Sequence, residues 1–170
     1  MAKVSADISN LEDMVNSLNS NFFLRVGILG SKAKNTHDKD SSLTNAQIGS
    51  YHEFGEGNNP RRSFLEDSLK FKLNFDNNEL KPLKKLAFKA FFLQRKPKVF
   101  FYALGAKCLE AIEEGFATNG FGMWAPLSES YRQSKVKKAR GKEKKFAARI
   151  NILTDTGKLR RSISFKVIKK

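Results

Sequence analysis

The residues best suited to acid–base chemistry in this chain of 170 residues are the neighbours His52 and Glu53. An imidazole and a carboxylate can exchange protons, but consecutive helical residues point in different directions, which disfavours joint action on one substrate. We interpret His52 as capping or packing near the turn that follows it. The other histidine is His37 and the single cysteine is Cys108, so the ligand set of a zinc or iron site is lacking. We predict no catalytic residues, no metal site and no cofactor, and expect Cys108 to be a buried thiol.

Two short motifs match ligand-binding or catalytic signatures without the required context. Gly55-x-Gly57 lacks the third glycine and the strand–helix–strand setting of a dinucleotide site. Asp155-Thr-Gly matches the aspartic protease triplet, but it lacks the expected apolar strand and is predicted to be a turn. The enzymatic alternative is a small basic nuclease or toxin, whose activity would depend on one or two of His37, His52 and Glu53.

Positive charge is concentrated towards the C-terminal end of the chain. The formal net charge is +15, and residues 132–170 hold fifteen lysines and arginines against two acids. We predict a flexible basic arm at residues 132–149, because it has few apolar anchors. Base-stacking aromatics are scarce within it, so non-specific polyanion binding and docking on a partner protein both stay open. The residues predicted to make these contacts are Lys135, Lys137, Lys138, Arg140, Lys142, Lys144 and Lys145.

The segment Asn45–Leu65 is predicted to organise the fold as a helix, a tight loop and a second helix. Its first part ends at the aromatic Phe54, and Gly55 and Gly57 then favour a turn, because glycine tolerates positive φ. Pro60 is predicted to begin the second helix, since proline fits the first helical turn.

The remaining apolar patterns predict an α+β fold in a single domain of residues 1–170. A small antiparallel sheet is expected from Phe22–Leu29 and C-terminal strands at Ile150–Leu153 and Ser162–Ile168, packed against several helices. The polar segment 31–43 is predicted to be a flexible loop. No apolar run reaches the roughly 18 residues of a membrane span. Helices are predicted at residues 6–19, 65–75, 80–95 and 99–116, with a short helical turn from Lys158.

Three motifs, in the same order, resemble those of the tail-completion proteins of tailed bacteriophages, which act in virion morphogenesis and head–tail joining. The first motif is His52-Glu-Phe-Gly followed by Asn59-Pro-Arg-Arg-Ser-Phe-Leu. The second is Trp124-Ala-Pro-Leu-Ser, and the third is Leu153-Thr-Asp-Thr-Gly-Lys-Leu-Arg-Arg-Ser-Ile. The family's usual Ile-Pro-Ala-Arg-Pro-Phe-Leu loses its second proline here, and its arginine corresponds to Arg61 or Arg62.

The resemblance implies a structural protein that assembles as a homo-oligomeric ring, commonly a hexamer. The ring would cap the tail tube, contact the tail tube or tail terminator protein, and present a surface to the head connector proteins. Assembly in the host cytoplasm, a final place in the virion neck or tail end, and possible contact with DNA in the lumen follow from the same resemblance, and no membrane is involved. The candidate interface residues are Tyr51, His52, Phe54, Arg61, Arg62 and Trp124. The alternative is a non-specific DNA-binding protein that uses the basic arm.

Overall fold

A computed structural model describes residues 21–36, 42–74, 77–93, 96–138, 152–153 and 157–169. Within these ranges the chain forms seven helices and two strands, which confirms the predicted α+β class. Strands β1 (Phe22–Ile28) and β2 (Ile163–Lys169) pair as an antiparallel two-stranded sheet. The helices are α1 (Ser31–Lys34), α2 (Asn45–Phe54), α3 (Glu66–Lys72), α4 (Lys81–Phe88), α5 (Pro97–Ala117), α6 (Glu129–Lys138) and α7 (Lys158–Ser162).

Two shorter helical segments flank α4. A 3₁₀ turn at Asn78–Leu80 leads into it, and a π-helical turn at Lys89–Leu93 follows it. Together these elements occupy most of the range predicted as one helix at residues 80–95. The π turn is a local widening of the helix that ends before the break at Pro97.

The structure differs from the sequence predictions at several boundaries. Residues Ser31–Lys34 form helix α1 where a loop was predicted, and α6 includes residues 132–138, which were assigned to the flexible arm. Pro60 does not begin a helix, because α3 starts only at Glu66. Ile152 and its neighbour lie in a turn rather than a strand. The predicted helix at residues 6–19 and arm residues 139–149 lie outside the described residues.

The chain folds into two compact units, where the sequence predicted one domain. The first unit comprises the described residues within Met1–Arg25, Phe75–Lys107 and Phe165–Lys170. The second comprises those within Val26–Asn74 and Cys108–Ser164. Both units are discontinuous in sequence, so neither a composition change nor a linker marks the division.

The core of the second unit is aromatic and aliphatic. The Phe64 ring lies 5.5 Å from the Phe116 ring, and Phe116 meets Trp124 edge to face at 5.7 Å. Rings at these separations contribute packing beyond the area that they bury. The buried residues of this core are Phe64, Ile112, Phe116, Trp124, Ile152, Leu159 and Ile163.

The first unit is built around contacts between phenylalanine rings. Phe91 packs edge-on against Phe100 at 5.5 Å and Phe101 at 6.3 Å, and Phe22 of β1 lies 6.4 Å from Phe101. Gly105 of α5 has no side chain, which makes room for the ring of Phe165 in β2. None of the helices in the described ranges is both long and apolar enough to cross a membrane.

Candidate functional site

Helix α2 begins and ends at residues whose types explain its limits. Thr44 caps its start, because the Thr44 Oγ1 accepts from the Gln47 amide at 3.3 Å while Gln47 Oε1 accepts from the Thr44 amide at 2.9 Å. Gly55 ends the helix in the left-handed conformation, at φ 74°. The predicted turn at Gly55 and Gly57 is therefore confirmed, since Gly57 also has a positive φ of 66°.

The carboxylate of Glu53, one residue before the end of α2, is the centre of the site. Its side chain is buried, and both oxygens accept hydrogen bonds. Oε1 accepts from Ser63 Oγ at 2.6 Å and from the Glu66 amide at 2.9 Å. Oε2 accepts from the amides of Phe64 and Leu65, each at 2.9 Å. Glu53 thus joins the end of one helix to the start of the next.

These four donors explain why a carboxylate is tolerated in the interior. The first amides of a helix have no partner within the helix, and their dipoles favour a negative charge. Glu53 supplies that charge to α3 from a position ten residues before Ser63. Because both of its oxygens are engaged by the chain itself, Glu53 is positioned as a helix-capping anion.

The loop between α2 and α3 returns along α2. The Arg62 amide donates to the His52 carbonyl at 2.7 Å, which closes the loop at its base. A Cβ at Gly55 would lie 2.9 Å from the Arg61 amide nitrogen, so this close approach of two backbones requires glycine. The extended return from Pro60 to Ser63 replaces the helix that was predicted to start at the proline.

Arg62 holds the second motif against the first. Its guanidinium is buried and donates from Nε to the Ala125 carbonyl and from Nη2 to the Pro126 carbonyl, both at 2.9 Å. Burial lowers the pKa of Arg62, because the charged form loses water. The buried indole of Trp124 completes the connection by donating from Nε1 to the Ser63 carbonyl at 3.2 Å.

Trp124 follows a left-handed turn in which four consecutive residues have positive φ. The angles are 54° at Asn119, 68° at Gly120, 56° at Phe121 and 80° at Gly122. Positive φ is unfavourable for the two residues that carry a Cβ, by about 1–2 kcal/mol each. The Asn119 side chain offsets part of this by accepting from the Ile152 amide at 3.0 Å. At Gly120 a Cβ would overlap the Trp124 indole, so the turn and the buried ring require each other.

The third motif packs on the same core. Leu159 and Ile163, at the two ends of α7, are buried with Phe64 in the core of the second unit. A Cβ at Gly49 of α2 would lie 3.6 Å from both Leu159 Cδ1 and Phe64 Cζ, which brings α2 close to both residues. The structure therefore brings together parts of all three sequence motifs.

The six candidate interface residues divide into buried and accessible groups. Arg62 and Trp124 are buried within the second unit, so in this state their side chains serve the chain's own packing rather than an open surface. Tyr51 and His52 are half-buried, whereas Phe54 is 65% exposed. Arg61 is also exposed, and its two terminal nitrogens form a bidentate pair with Asp67 at 2.9 Å each. The hydrogen bond to Asp67 raises the pKa of Arg61.

The basic arm is described only at its start. Tyr131 and Arg132 lie on the exposed first part of α6, and Arg132 lies 3.8 Å from Glu129. Of the residues predicted to contact a polyanion or partner, Lys135, Lys137 and Lys138 belong to this helix. Arg140, Lys142, Lys144 and Lys145 lie outside the described residues.

Cys108 is buried in α5, as expected from its apolar helical neighbourhood. Burial raises the pKa of its thiol to about 11, because the thiolate would lose hydration. Across the described ranges, no three or more His, Cys, Asp or Glu side chains are grouped so that they could hold a metal ion.

Sequence reasoning missed the role of Glu53. A local signal was present in Ser63-Phe-Leu-Glu66, because Ser-x-x-Glu is a sequence signature of a helix start. That signature places the start of α3 after Ser63 rather than at Pro60. It does not reveal that the capping anion comes from the preceding helix.

Comparison with known proteins gives no relative from which a role could be transferred. No family model, no curated protein and no solved structure matches this chain.

Proposed function

We propose that this chain is a structural morphogenesis protein of a tailed bacteriophage, which completes the tail end and joins it to the head connector as one copy of a ring. The observation that carries the proposal is the contact between its three tail-completion-like motifs. Glu53 caps the segment that contains Arg62, Arg62 binds the Trp124-Ala-Pro segment, and Leu159 packs with Phe64. Three short matches that form one structural unit support the resemblance more strongly than three matches scattered over a surface.

Phe54 is the best-placed contact for a neighbouring subunit. It ends α2 beside the loop of residues 55–61, and 65% of its surface is exposed although the adjoining Glu53 is buried. Large aromatic side chains near the centre of an interface contribute much of its binding energy. Copies related by rotation, each using two different surfaces, would close into a ring. The family resemblance makes six the expected number of copies.

The partners of such a ring are the tail tube or tail terminator protein on one side and the head connector on the other. Neither partnership requires catalysis, which agrees with the use of Glu53 as a structural anion. The Arg61–Asp67 pair lies at the exposed end of the same loop and gives it a defined shape. We propose the loop and Phe54 together as the surface that the ring presents.

The experiment is electron microscopy of a lysate from the phage that encodes this chain, after its gene has been inactivated. Full heads beside separate tails would support a completion or joining role. Intact joined particles would overturn it. Complementation with Phe54→Asp should leave heads and tails separate, whereas Met123→Asp should restore joining, because Met123 is 58% exposed but lies outside the proposed surface.

Non-specific DNA binding by the basic arm is the second candidate, favoured by the charge of residues 132–170. The described start of the arm, residues 131–134 of α6, is exposed on every side chain. Contacts to several phosphates would make binding fall steeply with salt. Deletion of residues 139–149 should then abolish retention of a DNA duplex at low salt. Retention that survives the deletion would exclude this use of the arm. Both functions are compatible in a neck through which DNA passes.

A further inference from the structure

An exposed apolar face lies where α4, the π turn and α5 meet in the first unit. Four large side chains there are far from buried: Phe88 is 55% exposed, Leu93 67%, Val99 45% and Tyr102 49%. Phe88 ends α4 and Leu93 ends the π turn, while Val99 and Tyr102 lie in the first two turns of α5. We call these four residues the hairpin-end face. Apolar side chains grouped and exposed in this way commonly mark an interaction site.

The surroundings of the hairpin-end face are basic. Residues 81–107 contain eight lysines and arginines and no acid. This cluster is hidden in the overall charge balance, because acids elsewhere offset it. A partner that covers the face must therefore carry negative charge as well as apolar side chains. The exposed lysines here are Lys81, Lys84, Lys85, Lys89, Lys96 and Lys98.

The chain itself contains a segment of the required chemistry. Residues 6–19 hold Asp7, Glu12 and Asp13 and no lysine or arginine. Apolar residues recur among them at three- and four-residue spacing, which is the pattern of a helix with one apolar face. The segment lies outside the described residues. Its apolar positions are Ile8, Leu11, Met14, Val15 and Leu18.

We propose that the hairpin-end face binds residues 6–19 of a second copy of this chain. The acids of the segment match the lysines around the face, and its apolar stripe matches the exposed side chains. A second copy is favoured because no described residue of the same chain covers the four side chains. The proposal goes beyond the proposed function, since it concerns how copies meet and does not depend on a phage role.

The composition of the face disfavours nucleic acid as the occupant. Leu93 and Val99 cannot stack on bases as aromatic rings do. The Tyr102 ring already meets the edge of Phe165 at 6.1 Å and lies 5.8 Å from the Lys98 ammonium. Phe88 packs against Phe92 at 5.2 Å. The aromatic rings are thus engaged within the unit, and the outward surface suits the side chains of an apolar helix.

Charge exchange between two full-length variants tests the contact. Lys85→Glu with Lys89→Glu alters the face, and Asp7→Lys with Glu12→Lys alters the segment. By sedimentation velocity, each variant alone should self-associate roughly tenfold more weakly than the unaltered chain. An equimolar mixture should recover the affinity, because each altered face then meets an altered segment and each unaltered face an unaltered one. The control, Lys34→Glu with Lys70→Glu, makes the same charge change on the second unit and should leave association unchanged.

Three results would overturn the proposal. The first is unchanged self-association in both variants. The second is weakened association that mixing does not restore, which would place the segment on its own chain or elsewhere. The third is loss of binding to a single-stranded oligonucleotide or to phosphatidylglycerol vesicles in the lysine variant with self-association intact. That outcome would assign the face to nucleic acid or lipid. None of these outcomes bears on whether heads and tails join, so the two proposals can fail separately.

Discussion

The Glu53 carboxylate accepts a hydrogen bond of 2.6 Å from the Ser63 hydroxyl and also caps the first amides of the helix that follows. This contact links the end of one helix to the start of another across a ten-residue loop. Since the loop and Phe54 form the proposed interaction surface, the shape of that surface depends on a buried anion. The stability of the second unit should be correspondingly sensitive to Glu53.

Glu53→Gln should lower the free energy of unfolding by about 2–4 kcal/mol. The amide nitrogen of glutamine would face backbone donors in place of one acceptor oxygen, and the negative charge at the helix start would be lost. Urea unfolding followed by circular dichroism measures the change. The matched control is Glu56→Gln, an exposed change in the same loop. Equal effects of the two substitutions would show that Glu53 has no special role.

Arg62→Lys should cost more stability than Arg61→Lys. Arg62 is buried and uses two nitrogens to reach two carbonyls, which a single ammonium cannot reproduce, so a loss of about 2 kcal/mol is expected. Arg61 is exposed, and its ion pair with Asp67 should be worth less than about 1 kcal/mol. The two unfolding free energies decide the order. A larger loss at Arg61 would contradict the assignment of Arg62 as the connection between motifs.

The left-handed turn predicts different costs at its two glycines. A Cβ at Gly122 meets nothing within 4 Å, so Gly122→Ala should cost only the positive φ, about 1–2 kcal/mol. A Cβ at Gly120 would also collide with Trp124, so Gly120→Ala should cost about 3 kcal/mol or more and should shift the tryptophan fluorescence. Equal costs with unchanged fluorescence would mean that Trp124 does not pack on this turn.

Cys108 predicts a dependence of stability on alkaline pH. Because burial raises its pKa from 9.0 to about 11 in the folded chain, the unfolded chain releases its thiol proton first. The contribution of Cys108 to stability is complete below about pH 9 and is lost as the pH rises towards 11. Unfolding free energies of the unaltered chain should therefore fall relative to Cys108→Ala over this range. A constant difference between the two proteins would show that the thiol is not protected by burial.

Local patterns predicted the regular elements of the fold well. The strand expected at Phe22–Leu29 is β1 (Phe22–Ile28), and the helix expected at residues 99–116 is α5 (Pro97–Ala117). Both carry dense apolar patterns that a tertiary environment has little reason to override. The helical turn from Lys158 and the strand after it were predicted for the same reason, and both are present as α7 and β2.

Interactions between distant residues explain most of the errors. Pro60 is compatible with a helix start, but the Arg62 amide is held by the His52 carbonyl, so the chain stays extended until Glu53 caps α3. No sequence window around Pro60 contains that information. The division into two discontinuous units was hidden for a related reason, because each unit is assembled from segments far apart in the chain.

The candidate site was predicted only in part. Phe54 and Arg61 were chosen as interface residues and are exposed, but Arg62 and Trp124 were chosen on the same resemblance and are buried. A motif shared with a family does not distinguish a residue that builds the fold from one that contacts a partner. The distinction depends on which carbonyls the guanidinium of Arg62 reaches, and these lie 63 and 64 residues further along the chain.

The most direct test of the proposed joining role is to add the purified chain to a lysate of the phage that lacks its gene. The unaltered protein should convert separate heads and tails into joined, infectious particles, seen by electron microscopy and counted as plaques. The folded Phe54→Asp variant should not, while Met123→Asp should act like the unaltered protein. Heads and tails that stay separate after addition of the folded, unaltered protein would contradict the joining role.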